Sequence, residues 1–467
     1  MKSVKTLLLF FACSAISFFS GAQADQALTR EIFKELIEIN TTHSSGNTTE
    51  AAEAMARRLK AAGFTDKDIF IGGAHPKKGN LVATLKGSGK RKPILLMAHI
   101  DVVEAHRDDW SFDPFKFQEI DGFYYARGSS DDKAMAAIFV ANLIRYKKEG
   151  FVPERDIIVA LTADEEGGEH NGIKWLLDNH RDLMNAEFAL NEGGGGQQKD
   201  GRKILNGVQL SEKVFQSFQL EVKNPGGHSS LPRKDNAIYR LASAIDKLAH
   251  FDFPINLNDG TRAFFERSAK IETGQLAADM KGIILSPPDA GAVKRLSETP
   301  YYNALLRTTC VATMLNGGHA QNALPQTATA VVNCRILPGE DPEKIKQTLI
   351  EVFNDNEVKV TAMNTASASP PSPLSTEVMG PIEKVTHTMW PGVPVIPVMS
   401  TGATDGAHTR NGGIPTYGVS GLFSEMDDKR AHGKDERINV KAFYEGQEFL
   451  YQLVKAYSQK TSVKRNY

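Results

Sequence analysis

The first half of the chain alternates between short apolar runs and stretches whose apolar residues recur at helical spacing. Four apolar runs predict strands: Asn80–Leu85, Ile94–His99, Asp156–Asp164 and Glu187–Glu192. Three stretches predict helices: Thr49–Ala62, Asp131–Tyr146 and Ile173–Asn179. In the second helix, Met135, Ile138 and Phe139 fall on one face, which we expect to be buried. Strands that alternate with helices predict an α/β domain with a mainly parallel sheet.

The pattern changes near residue 212 and returns to α/β character after residue 366. Between these points the predicted order is strand, helix, two strands, helix and strand: Val214–Val222, Asn236–Leu248, Arg307–Leu315, Thr327–Leu337, Pro342–Phe353 and Glu357–Ala362. This order is the ferredoxin-like βαββαβ arrangement. Residues 254–303 form an insertion of unassigned structure, and Ser367–Ser375, rich in Pro and Ser, predicts a linker. Val395–Met399 and Ile414–Val419 then predict further strands. The first domain is therefore discontinuous, residues 25–211 and 367–467, and residues 212–366 form a second domain inserted into it.

The amino terminus has the composition of a secretory signal peptide. Lys2 and Lys5 precede the apolar stretch Leu7–Phe19, and small residues lead to a cleavage site after Ala24. We expect residues 1–24 to be removed and the protein to be periplasmic or secreted. No later segment is apolar and long enough to cross a membrane, so no membrane association is expected after cleavage.

The sequence leaves open whether Cys310 and Cys334 form a disulfide. Export would place Cys310 and Cys334 in an oxidising compartment, where a disulfide is permitted. If the strands on either side of Asn322 form a hairpin, the two cysteines lie opposite each other. Two unlinked cysteines in a packed sheet are the alternative.

The balance of charged residues gives little information about the substrate but argues against nucleic acid as a partner. The 467 residues contain 55 Lys and Arg against 56 Asp and Glu, a formal net charge of −1. No long basic run is present, so nucleic acid is not expected as a partner. The balance is compatible with a small-molecule or peptide substrate.

Side chains that bind metals follow several of the predicted strands. His99 ends the second strand, Glu165 and Glu166 follow the third, and Glu192 ends the fourth. Open α/β sheets bind ligands at the carboxyl ends of their strands, so these side chains are expected to meet. Asp101 would lie on the same side as His99, where a carboxylate can orient a metal-bound imidazole.

Several of these residues have an ordinary structural interpretation when taken alone. Asp131 opens a helix and could simply cap it, although a carboxylate can also bridge two cations. The glycines after Glu192 lack the Gly-Lys-Ser/Thr ending of a phosphate loop. His432, in a polar segment before the last helix, is by itself an ordinary surface histidine.

Taken together, the motifs resemble the aminoacylase and carboxypeptidase family of two-zinc exopeptidases. That family includes carboxypeptidase S, bacterial glutamate carboxypeptidase, carnosinase and succinyl-diaminopimelate desuccinylase. The matching segments run in the family's order: Met97-Ala98-His99-Ile100-Asp101, Arg127-Gly128-Ser129-Ser130-Asp131, Asp164-Glu165-Glu166, Asn191-Glu192-Gly193 and Ala431-His432-Gly433. The insertion is most similar to the carboxypeptidase S branch. Ala134, where the family usually has Gly, is a small departure that affects no ligand.

The resemblance implies a fold and a set of metal ligands. The fold would be a phosphorylase/hydrolase-like catalytic domain with an inserted lid and dimerisation domain. Asp131 would bridge two Zn²⁺ ions per subunit, and Mn²⁺ or Co²⁺ would also suit the donors. His99 and Glu192 would complete one site, and Glu166 and His432 the other.

The resemblance also implies a mechanism and a substrate class. Two bound ions would supply an activated water for attack on an amide carbonyl, and Glu165 would serve as general base and acid. His228 would stabilise the oxyanion, from the partner subunit of a homodimer. Arg335 would bind the substrate carboxylate, with Asn322 and Gly402 lining the pocket.

These features predict a hydrolase that cleaves dipeptides, short peptides or N-acyl amino acids with a free α-carboxylate. An aminoacylase rather than a peptidase is the alternative within this class. A non-catalytic binding protein is the rival from another class, and it would be expected to have lost ligands or the base. All five ligands and Glu165 are present, which favours the enzyme.

Overall fold

The computed structural model describes residues 23–459, which divide into two compact units. The first unit contains the described residues up to Val208, Ser375–Val395 and those from Ile414 onwards; the second contains Gln209–Leu374 and Ile396–Gly413. The sequence instead assigned Ile396–Gly413 to the first domain. The predicted signal peptide, apart from its last two residues, lies outside the described residues and stays a prediction. Within residues 23–459, no helix has the length and apolar composition needed to cross a bilayer.

The described helices are numbered in chain order. They are α1 (residues 23–38), α2 (Thr48–Ala61), α3 (Lys133–Lys148), α4 (Gly172–Asn179), α5 (Ala237–Ala249), α6 (Asp259–Ser268), α7 (Gly274–Ile283), α8 (Ala290–Ser297), α9 (Pro300–Leu306), α10 (Pro342–Phe353), α11 (Thr376–Met389), α12 (Gly406–Asn411) and α13 (Val440–Ser458). Short 3-10 turns occupy Arg107–Asp109 and Arg181–Met184.

The strands follow the same numbering. They are β1 (Ile69–Gly72), β2 (Asn80–Leu85), β3 (Ile94–His99), β4 (Gln118–Ile120), β5 (Phe123–Tyr125), β6 (Ile157–Thr162), β7 (Phe188–Asn191), β8 (Gly196–Lys199), β9 (Arg202–Glu212), β10 (Val214–Lys223), β11 (Gly227–His228), β12 (Thr309–Gly317), β13 (Ala323–Leu324), β14 (Thr327–Ile336), β15 (Val358–Ala362), β16 (Val395–Ser400), β17 (Thr416–Gly418), β18 (Phe423–Glu425) and β19 (Arg437–Asn439).

A mixed, mostly parallel sheet forms the centre of the first unit, which confirms the predicted α/β fold. Its order is β1-β2-β6-β3-β7-β17-β9-β8-β18, and β16 also pairs with β9. Every residue of β3 and β6 is buried, as expected for strands covered on both faces. On one face, Leu95 and Ile158 pack with Ile173 and Leu176 of α4.

Three parallel strands bring the predicted metal ligands to one edge of this sheet. β3 is parallel to both β6 and β7, and His99 at the end of β3 pairs in register with Thr162 at the end of β6. Glu165 and Glu166 follow β6 closely, and Glu192 comes directly after β7. Side chains distant in sequence therefore start from neighbouring strand ends.

The second unit contains a four-stranded antiparallel sheet of order β12-β14-β10-β15. With α5 and α10 it forms the βαββαβ arrangement that the hydrophobic pattern predicts. Phe218 and Val332 of the sheet pack in one core with Leu241 of α5 and Leu349 of α10. The insertion at 254–303, left unassigned from the sequence, is mostly helical and contains α6, α7, α8 and most of α9.

A disulfide joins Cys310 of β12 to Cys334 of β14. The two residues are directly opposed in the antiparallel register, as the hairpin interpretation required. This pairing answers the question that the sequence left open.

Candidate metal centre

His99 is buried at the end of β3 and faces two carboxylates. Its Nε2 lies 2.9 Å from Oδ1 of Asp131 and 3.9 Å from Oε2 of Glu192. Its Nδ1 lies 3.1 Å from the main-chain oxygen of Asp101 and 3.6 Å from the Asp101 carboxylate. If Nδ1 carries the proton and donates to that carbonyl, the lone pair of Nε2 points at the carboxylates, which is the tautomer that binds a metal.

His432 forms a second cluster on the other side of the same aspartate. Its Nε2 lies 2.9 Å from the Glu166 carboxylate and 3.2 Å from Oδ2 of Asp131. Asp131 thus presents one oxygen to each histidine. Two candidate metal-binding groups result, His99–Asp131–Glu192 and Asp131–Glu166–His432, with the ligand atoms of each within 4.8 Å of one another.

The segment that carries Asp131 is not an ordinary helix cap. The helix α3 begins at Lys133, two residues later than the sequence predicted, and Asp132 occupies the capping position without a side-chain capping bond. The carboxylate of Asp131 is therefore available to both histidines.

Crowding of carboxylates shifts the pKa values at this edge. Burial raises the pKa of Glu192 well above its usual value, despite the opposing charge of His99. Burial and the charge of Asp131 raise the pKa of Glu166 to about 7. Burial would also raise the pKa of Asp131, but hydrogen bonds from His432 and His99 outweigh it and hold that pKa well below the usual range. A hydrogen bond with Asp131 raises the pKa of His432 to about 9.

These shifts fit a site built for cations. Carboxylates that repel one another in a buried place take up protons unless positive ions compensate them. Imidazole nitrogens with carboxylate oxygens are the donors that suit Zn²⁺, and Mn²⁺ or Co²⁺ also accept them. The residues present therefore fit a pair of divalent ions that share Asp131.

Asp101 also fixes the loop that carries the two adjacent glutamates. Its carboxylate accepts the main-chain N–H groups of Glu165, at 3.2 Å, and of Glu166, at 3.0 Å. The sequence predicted that the Asp101 carboxylate orients His99; in the structure the Asp101 main-chain oxygen is nearer to His99 Nδ1 than the carboxylate is. The structure adds that the same side chain holds the backbone of the predicted base and its neighbouring ligand.

Lys78 and Asp164 form a buried ion pair beneath this loop. Nζ of Lys78 lies 2.6 Å from Oδ1 of Asp164, and both side chains are almost fully buried. Asp164 adopts a left-handed backbone with φ of 54°, which turns the chain towards Glu165. Sequence reasoning missed this pair because Lys78 lies in a distant loop and no motif marks it.

Glu436 is the other residue that sequence reasoning missed. Its buried carboxylate pairs with Arg127 at 2.8 Å and accepts N–H bonds from Gly128, Ser130 and Asp131. It thereby fixes the backbone of the bridging aspartate. The only sequence signal was its position four residues after His432.

Arg127 connects Glu436 to His432. Its guanidinium donates to Glu436 at 2.8 Å and to the main-chain oxygen of His432 at 3.3 Å. His432 itself has a left-handed backbone with φ of 63°, a conformation that a residue without glycine's freedom keeps only when its surroundings impose it.

The predicted substrate-binding residues belong to the second unit. His228 lies in β11, exposed, with Nδ1 2.7 Å from Oγ of Ser230. The main-chain oxygen of Asn322 accepts the N–H of Ser229, and His228 pairs with Ala323, so Asn322 and His228 are close neighbours.

Arg335 and Gly402 are placed by other elements of that unit. The Arg335 guanidinium, on β14, lies 4.9 Å from the ring centroid of Phe215, and Gly402 donates its N–H to Oγ of Ser400. All five predicted metal ligands, Asp101 and Glu165 belong to the first unit.

Comparison with known proteins gives a consistent set of relatives. A family model described as "Peptidase family M20/M25/M40" matches residues 95–456. The chain is 30% identical over 454 residues to the human N-fatty-acyl-amino acid synthase/hydrolase PM20D1, covering 93% of this chain and 88% of that protein. It is 31% identical to a probable carboxypeptidase S-like 2 from Dictyostelium discoideum, covering 80% and 74%.

Solved structures share the fold at low sequence identity. The M20 family metallo-carboxypeptidase Sso-CP2 from Sulfolobus solfataricus matches with a TM-score of 0.68 and 19% identity, covering 92% of this chain and 99% of that one. YXEP from Bacillus subtilis, described as a dinuclear metal-binding peptidase, matches with a TM-score of 0.60 and 11% identity, covering 93% and 98%.

The contribution of the buried Glu436 carboxylate to stability can be tested by Glu436→Ala. We expect the free energy of unfolding to fall by roughly 3–5 kcal/mol, because Arg127 loses its buried partner and several N–H groups are left unpaired. Urea unfolding with zinc present measures the change. Glu448→Ala is the matched control, since Glu448 pairs with Arg145 at a half-exposed site and should lose about 1 kcal/mol or less. Equal losses in the two variants would contradict the assignment.

Proposed function

The chain belongs to the peptidase family M20/M25/M40, and we propose that it hydrolyses the amide bond of N-acyl amino acids with a free α-carboxylate. The observation that carries the proposal is the sharing of Asp131 by two histidine–carboxylate clusters, an arrangement suited to two ions. The choice of substrate is supported by the human relative, which is named for N-fatty-acyl amino acids and matches along most of both chains.

A carboxypeptidase acting on short peptides is the second candidate. The Dictyostelium relative is named carboxypeptidase S-like, and the Sulfolobus structure is described as a metallo-carboxypeptidase. Both reactions cleave an amide next to a free carboxylate, so one site could serve either substrate.

We assign two Zn²⁺ ions to the ligands already described. When bound, the pair would lower the pKa of a water and polarise the substrate carbonyl. Side chains of the protein then transfer the proton. Glu165 accepts a proton from the attacking water and passes it to the leaving nitrogen, while Asp101 keeps its backbone in place.

Recognition of the amino-acid part is assigned to the second unit. The planar guanidinium of Arg335 can bind a carboxylate through two hydrogen bonds. Phe215 packs against its face, which limits the orientations it can take. Asn322 and Gly402 are proposed as further substrate contacts, and His228 as the donor to the developing oxyanion.

Export is proposed from the predicted signal peptide. The disulfide between Cys310 and Cys334 supports it, because such bonds persist mainly in oxidising compartments. The proposed location is the periplasm or the exterior of the cell.

A homodimer is proposed from an exposed apolar edge in the second unit. β12 is the last strand of its sheet, and its Val311, Met314 and Leu315 are 60, 64 and 68% exposed. Tyr239 on α5, the helix that packs against this sheet, is 62% exposed. Edge strands with exposed apolar side chains usually pair with another chain, and a second copy offers the same edge by twofold symmetry.

The reaction is tested by two substrate panels, one of N-acyl amino acids and one of dipeptides. We expect the N-acyl panel to be hydrolysed, activity to disappear after removal of metal with a chelator, and zinc to restore it. Hydrolysis of dipeptides alone would establish the second candidate instead. No hydrolysis of either panel by the zinc-loaded protein would refute both.

Glu165→Gln tests the general base. We expect two bound metals per chain, measured by mass spectrometry of the metals, and a turnover lower by a factor of about 100 or more. Glu169→Gln, at an exposed position of the same loop, should turn over normally. A near-normal rate in Glu165→Gln would show that another group takes the proton.

Leu315→Asp tests the dimer. A charge on the apolar edge should convert the protein to monomers, measured by light scattering after gel filtration. Val152→Asp, which is 72% exposed in the first unit, should leave the oligomeric state unchanged. If His228 acts from the partner subunit, the monomer should also lose activity; a fully active monomer would rule out that role.

A further inference from the structure

A cavity of about 520 Å³ lies within the first unit and includes the side chains of the candidate metal centre in its wall. Asp131 and Glu192 are among its lining residues, and β5, β18, β19 and the loops next to them contribute much of the rest. Its volume is in the range of small-molecule sites. A substrate carbonyl held at the metal centre would thus have one of its two substituents next to this cavity.

Apolar side chains from separate elements form part of the wall. Phe123 comes from β5, Met135 from the first turns of α3, Phe423 from β18 and Ile438 from β19, and Leu422 immediately precedes β18. The backbone around them is fixed: β18 pairs with β8, and β19 pairs with β5. The apolar lining is therefore part of the fold and does not depend on a single loop side chain.

The arginines that line the cavity are already paired within the protein. Arg437 donates to Asp428 at 2.8 Å and to the hydroxyl of Tyr125 at 2.6 Å, and its guanidinium stacks 4.0 Å from the ring centroid of Phe123. Arg430 donates to the same Asp428 at 2.6 Å. A substrate carboxylate would have to displace these bonds, so the cavity is poorly suited to the charged end of an amino acid.

Glu425, another charged residue of the lining, is also bonded internally. The Glu425 carboxylate accepts from the Gln198 side chain at 3.1 Å and from the N–H groups of Asp200 and Gly201. Lys429 is exposed to solvent. An apolar occupant would therefore leave the internal hydrogen bonds of this wall intact, and burying it would contribute favourable free energy for each methylene.

We propose that this cavity holds the acyl chain of the substrate and sets the preferred chain length. The proposal rests on the proposed function, because it presumes an N-acyl amino acid. The amide carbonyl has an acyl chain on one side and an amino acid on the other. With its arginines already paired, the cavity accepts the acyl side, and the substrate class becomes amino acids that carry a long unbranched acyl chain.

Ser424→Trp is the direct test. Ser424 is an exposed residue of β18 that lines the cavity, so an indole there narrows the cavity without replacing a core residue. We expect kcat/KM for an N-dodecanoyl amino acid to fall by about 10-fold or more, because several methylenes lose their site. Hydrolysis of the N-acetyl derivative of the same amino acid should fall much less, because a single methyl group does not extend along the cavity. Two bound metals per chain, measured by mass spectrometry of the metals, would show that the variant folds.

Ser88→Trp is the matched control, since it makes the same change at an exposed serine of the first unit outside the cavity. A second measurement needs no variant. Free fatty acids should inhibit hydrolysis of the N-acetyl substrate competitively, and inhibition should strengthen from hexanoate to dodecanoate. This series keeps the proposal testable even if Ser424→Trp does not fold.

The possible outcomes distinguish a wrong cavity assignment from a wrong assignment of the reaction. If both N-acyl substrates are hydrolysed and Ser424→Trp leaves their ratio unchanged, or if inhibition does not depend on chain length, the cavity assignment is wrong while the proposed function stands. A changed preference for the amino-acid side chain, with no change in acyl preference, would also overturn it. If the unaltered protein cleaves dipeptides and no N-acyl amino acid, both proposals fail.

Discussion

Electrostatic compensation at Asp131 is the constraint on which the rest of the site depends. Several carboxylates meet at one buried edge of the sheet, where burial, together with their mutual repulsion, raises the pKa values of Glu166 and Glu192. Two histidines, one on each oxygen of Asp131, offset part of that cost. A pair of divalent ions would offset more of the electrostatic cost. So many buried carboxylates are unfavourable in a protein without cations, and this favours a metal centre here.

Buried charged side chains hold this centre in place by binding the backbone on either side of it. Glu436 accepts the N–H groups that precede α3, and Asp101 accepts those of the loop after β6. The ion pair of Lys78 with Asp164 supports the same loop from below. These partners bind the main chain, so they fix the backbone from which Asp131 and Glu166 extend.

The residues proposed for the reaction and those proposed to bind the substrate carboxylate belong to different units. The first contains the candidate metal ligands, the proposed base and a cavity whose two arginines are already paired, which is the basis for assigning it the reacting bond and the acyl chain. The second contains Arg335, a guanidinium that can bind a carboxylate, and an exposed strand edge suited to a second copy.

The sequence alone determined the elements and the chemistry that local pattern encodes. The strands Asn80–Leu85 and Ile94–His99 and the helix Pro342–Phe353 were predicted to the residue, because short apolar runs and an apolar period of 3.6 can be read directly from the chain. The ligand set followed from strand ends and from a family resemblance. Only the tertiary structure placed Glu436 against the backbone of Asp131, Lys78 against Asp164, and a cavity of about 520 Å³ beside Asp131 and Glu192. Their roles arise from contacts between segments far apart in the chain, and such contacts leave no periodic trace in the sequence.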